Sequence, residues 1–174
     1  MILVFTGSIK TKLKRSDIGL ILDRNRTKYG ILASQLLDNL YIWGFRHLYS
    51  ATWHALKAKQ HDRMISNNLS IEILVYAAAQ RQIKKAITLL GVKKTTKYVA
   101  GILLGKRSQD LIDASHQLQE ELHIKPNIKL LDDFESKNEL FIKMLNNDGY
   151  TATDFSFDEI EKAVLQKIAL LALE

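Results

Sequence analysis

Three of the five histidines, His47, His54 and His61, recur at intervals of seven residues. On one continuous helix such neighbours lie roughly 10 Å apart along the axis, too far to share a metal ion. The spacing therefore predicts no metal site. His47 and His54 stay open as ligand contacts, against the plainer reading of packed or surface side chains. Paired carboxylates stand at Glu120-Glu121, Asp132-Asp133 and Asp158-Glu159. Adjacent side chains diverge on a helix, and no nucleophile or histidine beside them completes a triad, so solvated acidic surface is expected.

The remaining chemistry is thin. The eight glycines form neither G-x-G-x-x-G nor G-x-x-x-x-G-K-[ST], the patterns whose free N–H groups cradle phosphates, and Gly101 and Gly105 read as strand punctuation. With no cysteine, thiolate ligands, cysteine nucleophiles and disulfides are excluded. No cofactor and no small-molecule substrate are expected. A weak enzymatic alternative would assemble His54, Glu72 and Tyr76 from a distance, although Glu72 could equally satisfy backbone groups near a helix start. The inventory favours a binding protein over an enzyme.

Charge says more. Residues 1–107 hold 19 Lys+Arg against 5 Asp+Glu, whereas residues 108–174 hold 6 against 14, and the formal net charge is +6. From Arg81 to Arg107 eight cations occur without a carboxylate. A basic surface facing a polyanion, with nucleic acid the leading candidate, explains this division; basic and acidic parts facing each other would explain it too. Arg81, Lys84 and Lys85 form a cationic ridge outside Ile83, Ile87 and Leu90, with Gln82 as a neutral hydrogen-bonding group. Arg46, Lys57, Lys59 and Arg63 accompany Trp43, Tyr49 and Trp53, which offer stacking surfaces unless, as expected for Trp53, they are core.

These residues need elements to hold them. MILVFTGSI reads as a strand, Ser16 as the N-cap of a helix carrying Ile18, Ile21 and Leu22 that frays into DRNRTK, and ILASQLLD as a second strand. Phe45, Leu48, Tyr49, Thr52 and Leu56 fall at helical spacing over 44–59. Two helices follow, broken near Ala79 and closed by Gly91. KYVAGILLG reads as a central buried strand, Ser108 as the cap of a helix with Leu111, Ser115, Leu118 and Leu122 on one face, and IKLLDD as a last strand. Ser136 to Glu139 and Ser156 to Glu159 both fit the S-x-x-E capping box. IALLAL surrounds its helix with apolar groups, which means either deep burial or a docking face. The composition, 47% hydrophobic and 25% charged, is that of a folded protein. The expectation is one α+β domain over 1–174: a small mixed sheet packed with several helices, and a helical C-terminus. No apolar run nears the roughly 20 residues of a membrane span. MILVF makes a poor signal peptide, so a cytoplasmic location without membrane contact is expected.

The blocks WGFRHLYSATWHALKA, LSIEILVYAAAQRQIKKAITLLGV and VLQKIALLALE, in that order, resemble the tRNA-binding accessory subunit of the KEOPS complex, the family of the PRPK-binding protein, in its archaeal type. The middle block, with Glu72, Leu74, Tyr76, Arg81, Gln82, Ile83, Ala86 and Gly91, is the most specific. Ala79 stands where the YxxG-x-RQI pattern has glycine, and Ala172 where the family often has aspartate. The resemblance implies a noncatalytic subunit that binds a kinase-like ATPase and grips tRNA, including its CCA tail, in a complex whose other subunit makes threonylcarbamoyl-adenosine. On that reading Arg46, His47, Lys57, Lys59, Arg81, Gln82, Lys84 and Lys85 face RNA, and Ile168, Leu171 and Leu173 face the partner. The competing expectation is a helix-turn-helix DNA reader built from the two helices around Ala79.

Overall fold

The computed structural model describes residues 1–10, 14–149 and 155–173. In chain order the elements are β1 (Ile2–Ile9), α1 (Arg15–Lys28), β2 (Ala33–Asp38), α2 (Phe45–Gln60), α3 (Leu69–Ala77), α4 (Ile83–Leu90), β3 (Tyr98–Leu104), α5 (Ser108–Glu121), β4 (Ile124–Pro126), α6 (Glu135–Asn147) and α7 (Phe157–Leu171), with 3-10 turns at Asn39–Tyr41 and Ile128–Leu131. The sheet runs β2-β3-β1-β4. Its three pairings are all antiparallel, so the α+β class holds while the expected mixed sheet does not.

β3 is central, and its alternation explains the layering. Ala100, Ile102 and Leu104 point into a larger core with α2, α3, α4, α6 and α7, whereas Val99 and Leu103 point into a second core with α1 and α5. Period-two side chains thus serve two helical layers, one on each sheet face. Gly101 does more than punctuate: a Cβ there would lie 2.1 Å from the Phe5 ring, so the ring occupies the place of a side chain.

Local signals held where the hydrogen bonds could be made. Ser156 caps α7 as expected, its N–H donating to Glu159 Oε2 at 2.8 Å. Ser136 does not cap α6; it is already inside the helix and donates to the Asp133 carbonyl oxygen at 3.2 Å. Lys14 rather than Ser16 stands at the N-cap position of α1, and Arg107 rather than Ser108 at that of α5, neither making a side-chain cap hydrogen bond. α1 runs through DRNRTK without fraying, because Arg26 pairs with Asp23 and Arg24 reaches Glu121 on α5. IKLL is a turn, not a strand. The edge strand β4 ends at Pro126, and the Asn127 side chain then accepts from the Lys129 N–H at 3.2 Å.

The break after α3 has a defined geometry. Gln80 N–H donates to the Val75 carbonyl oxygen at 3.2 Å and Ala79 N–H to that of Tyr76 at 2.9 Å, a Schellman cap with Ala79 at φ +47°. The glycine of the resembling pattern is the residue that this left-handed position favours. Gly91 closes α4 in an extended conformation and bridges to Leu37 on the β2 edge.

Candidate nucleic-acid interface

α2 divides its residues sharply. His47, Leu48, Ala51, Thr52, Ala55 and Ala58 are buried, and the opposite face exposes Phe45, Tyr49 and Trp53. Trp53, expected in the core, is 45% exposed, and the Lys57 ammonium sits 5.5 Å above its ring. Trp43 is the buried one, held among Phe134, Phe141 and Phe157. A four-residue step carries the aromatic stripe on to Lys57, and there the surface opens into a cleft.

The cleft, of about 410 Å³, lies between the end of α2, the end of α3 and the last turn of α7. Lys57, Arg63 and Arg81 supply its charge, His54, His61 and Tyr76 its rings, and Leu171 and Leu173 an apolar wall. His54 stacks on Tyr76 with centroids 5.9 Å apart and meets the Trp53 ring edge-on at 4.8 Å. Burial holds the His54 pKa below its ordinary value and lifts that of Tyr76. Both rings are therefore uncharged at neutral pH, as a stacking surface for a nucleobase needs.

A second depression of about 380 Å³ continues from the first, lined by Ala79, Gln80, Arg81, Gln82, Lys85, Lys167, Leu170 and Leu171. Arg81 and Leu171 belong to both. Together they make one trough rich in cations. Lys57, Arg63 and Lys85 lie along it, while Lys167 is paired with Asp148, so phosphate oxygens meet several cations along the path.

The sequence-predicted residues distribute unevenly. Lys57, Arg81, Gln82 and Lys85 line the trough. Lys59 is exposed near the end of α2 but outside the lining, and Lys84 lies on the far flank of α4. Arg46 pairs with Glu161 at 2.7 Å and, eleven residues before Lys57 on α2, sits roughly 16 Å away along the axis. It ties α2 to α7 and is not part of the trough. His47 is corrected outright. It is 4% exposed, Nδ1 accepts from the Trp43 N–H at 3.1 Å, and Nε2 lies 2.8 Å from the Ala77 carbonyl oxygen. A ring so enclosed cannot stack on a nucleotide.

The C-terminal residues split by face. Ile168 is 0% exposed and Leu171 is nearly buried, both within the larger core, whereas Leu170 and Leu173 are exposed, the latter by 83%. α7 thus has a core face, with Leu170 exposed on its other side and Leu173 exposed just beyond its end. His54, His61, Arg63, Tyr76 and Lys167 complete the trough. His54 was already open as a ligand contact, Arg63 was noted for charge, and Tyr76 and Lys167 stood in the resembling blocks, whereas His61 carried no signal beyond the histidine spacing.

The enzymatic alternative loses its acid. Glu72 is fully buried and accepts backbone N–H bonds from Ile65 at 3.0 Å and Ser66 at 2.8 Å, fastening the loop before α3. An apolar cavity of about 30 Å³ beside His47 has room for little more than a water molecule. Among the described residues no His, Asp or Glu cluster can hold a metal, and no helix is long and apolar enough to cross a membrane.

The model of the family described as kinase binding protein CGI-121 matches residues 8–172, and the chain belongs to that family. No curated relative matches the chain.

Proposed function

We propose that this member of the kinase-binding family is a noncatalytic accessory subunit of the KEOPS complex, folded as one domain and working in the cytoplasm. It holds tRNA by the unpaired CCA end and docks the kinase-like ATPase subunit through the exposed end of α7. The threonylcarbamoyl transfer belongs to another subunit.

The observation that carries this reading is the trough itself. Lys57, Arg63, Arg81 and Lys85 stand around the His54 and Tyr76 rings and a leucine wall. An unpaired end offers both complements: phosphates for the cations, and free base faces for His54 and Tyr76, each stacked base contributing about 1–3 kcal/mol. A duplex hides its base faces and would leave the rings idle. The helix-turn-helix alternative is poorly served, since α3 is buried on nearly every side and α4 has only two turns.

The kinase partner comes with the family, and the position of Leu170 and Leu173 supports docking there. Two exposed leucines at the end of an otherwise core-facing helix suit a hydrophobic contact with another folded surface.

The test is a titration of the protein with intact tRNA, tRNA lacking its CCA tail and a DNA duplex, each at low and moderate salt. Intact tRNA should bind best and lose affinity with the tail. Equal binding of all three at both salts overturns the RNA role and leaves a nonspecific polyanion surface.

A further inference from the structure

The two flanks of α4 differ in chemistry. Toward α7 lies the trough, with rings, leucines and cations. On the other flank is a more open groove of about 470 Å³, lined by Tyr41, Lys84, Lys85, Thr88, Leu89 and Lys93. Lys85 borders both, so the groove continues the trough across α4.

This groove offers charge without a free ring. Among the described residues its lining holds three lysines and no carboxylate, and the Lys93 ammonium already covers Tyr41, 4.8 Å from the ring centroid. Its rim is anchored. Lys93 Nζ donates to the Leu89 carbonyl oxygen at 3.2 Å, the Lys93 N–H donates to Thr96 Oγ1 at 3.0 Å, and that hydroxyl donates to Asp38 Oδ2 at 2.7 Å. The Asp38 carboxylate is buried and occupied by Thr96 and the Leu40 N–H, so it does not face the groove as a repelling charge. Lys94 and Lys97 project from the same turn, both exposed.

We propose that this lysine groove binds the sugar-phosphate backbone of a paired RNA stem adjoining the unpaired tail. The RNA then crosses α4 in one direction, single strand toward α7 and duplex toward the turn at 93–97. The inference rests on the RNA reading above. Paired A-form RNA conceals its bases and presents phosphates and 2′-hydroxyls, for which lysines suffice and rings add nothing.

The experiment uses two RNAs, a single strand ending in CCA and a hairpin whose stem carries the same tail, with the unaltered protein and two variants. Thr88→Glu sets a carboxylate in the groove, and Lys93→Gln removes one cation while keeping most of the side chain. Both positions lie at the surface, and thermal melts confirm that the fold survives. The hairpin should bind the unaltered protein more tightly than the single strand and with a steeper salt dependence. Lys93→Gln should reduce the slope of log K against log salt by about one for the hairpin, and Thr88→Glu should weaken the hairpin roughly tenfold. Single-strand affinity should stay within about twofold in both. If the single strand binds but the stem adds nothing, or if the variants weaken both RNAs alike, the groove assignment fails while the tail site stands. Failure of the unaltered protein to bind either RNA overturns both readings together.

Discussion

The backbone N–H of Trp43 donates to Nδ1 of His47 at 3.1 Å, which places the ring proton on Nε2, 2.8 Å from the Ala77 carbonyl oxygen. One imidazole thereby joins the start of α2 to the end of α3, and only its neutral form fits. A second proton would set Nδ1–H against the Trp43 N–H, donor against donor.

Burial accordingly lowers the His47 pKa from 6.5 to about 4; the Ala77 carbonyl opposes this and the nearby Lys137 ammonium adds to it. Because the unfolded chain takes up the proton near 6.5 and the folded one only near 4, this contribution is complete above 6.5 and is lost as pH falls toward 4. Urea melts at pH 7 and pH 5 should differ by about 2 kcal/mol from this group. In His47→Gln that acid sensitivity should largely disappear, at the cost of lower stability at pH 7.

Ala79 holds a left-handed conformation at φ +47°, which costs a residue with a Cβ roughly 1–2 kcal/mol. Ala79→Gly should relieve it, less the extra entropy glycine loses on folding, for a net gain of about 0.5 kcal/mol and a melting temperature higher by one or two degrees. A lower melting temperature would mean that the methyl group packs usefully against its surroundings.

Ile168 and Leu173 should separate stability from docking. Ile168→Ala removes a fully buried side chain from the larger core and should cost about 2–5 kcal/mol in denaturant melts. Leu173→Glu, at an 83% exposed position, should leave the melting midpoint within error yet abolish co-purification with the kinase-like subunit. Retention of the partner by Leu170→Glu, Leu173→Glu would place the interface elsewhere.

Lys84→Glu with Lys85→Glu reverses two exposed charges on α4. tRNA affinity at moderate salt should fall by roughly tenfold or more, with a shallower salt dependence and an unchanged melting temperature. Equal affinity would remove α4 from the interface.

Local rules made much of this legible beforehand. The Ser156 capping box needs only residues three apart, and the apolar run KYVAGILLG needs only its continuity to read as a central buried strand, so both survived folding as read. Ser136 shows the limit: the same four-residue pattern failed because Asp133 offered its carbonyl and Phe134 the N-cap. Charge division and the missing catalytic inventory are compositional, and they pointed to a polyanion-binding protein before any fold was known.

Faces were decided by packing alone. Helical spacing put Trp53 and His47 on α2 but could not say which side of that helix α3 and α7 would cover; the answer buried His47 and left Trp53 outside. Arg46 is as basic as Lys57 in the sequence, yet Glu161, 115 residues away, claims it. The trough likewise joins Lys57, Arg81 and Leu171, residues from distant stretches of the chain. Composition fixes how much charge a protein carries, while the field that a phosphate meets depends on distances in space, and those exist only once α7 has closed against α2 and α3.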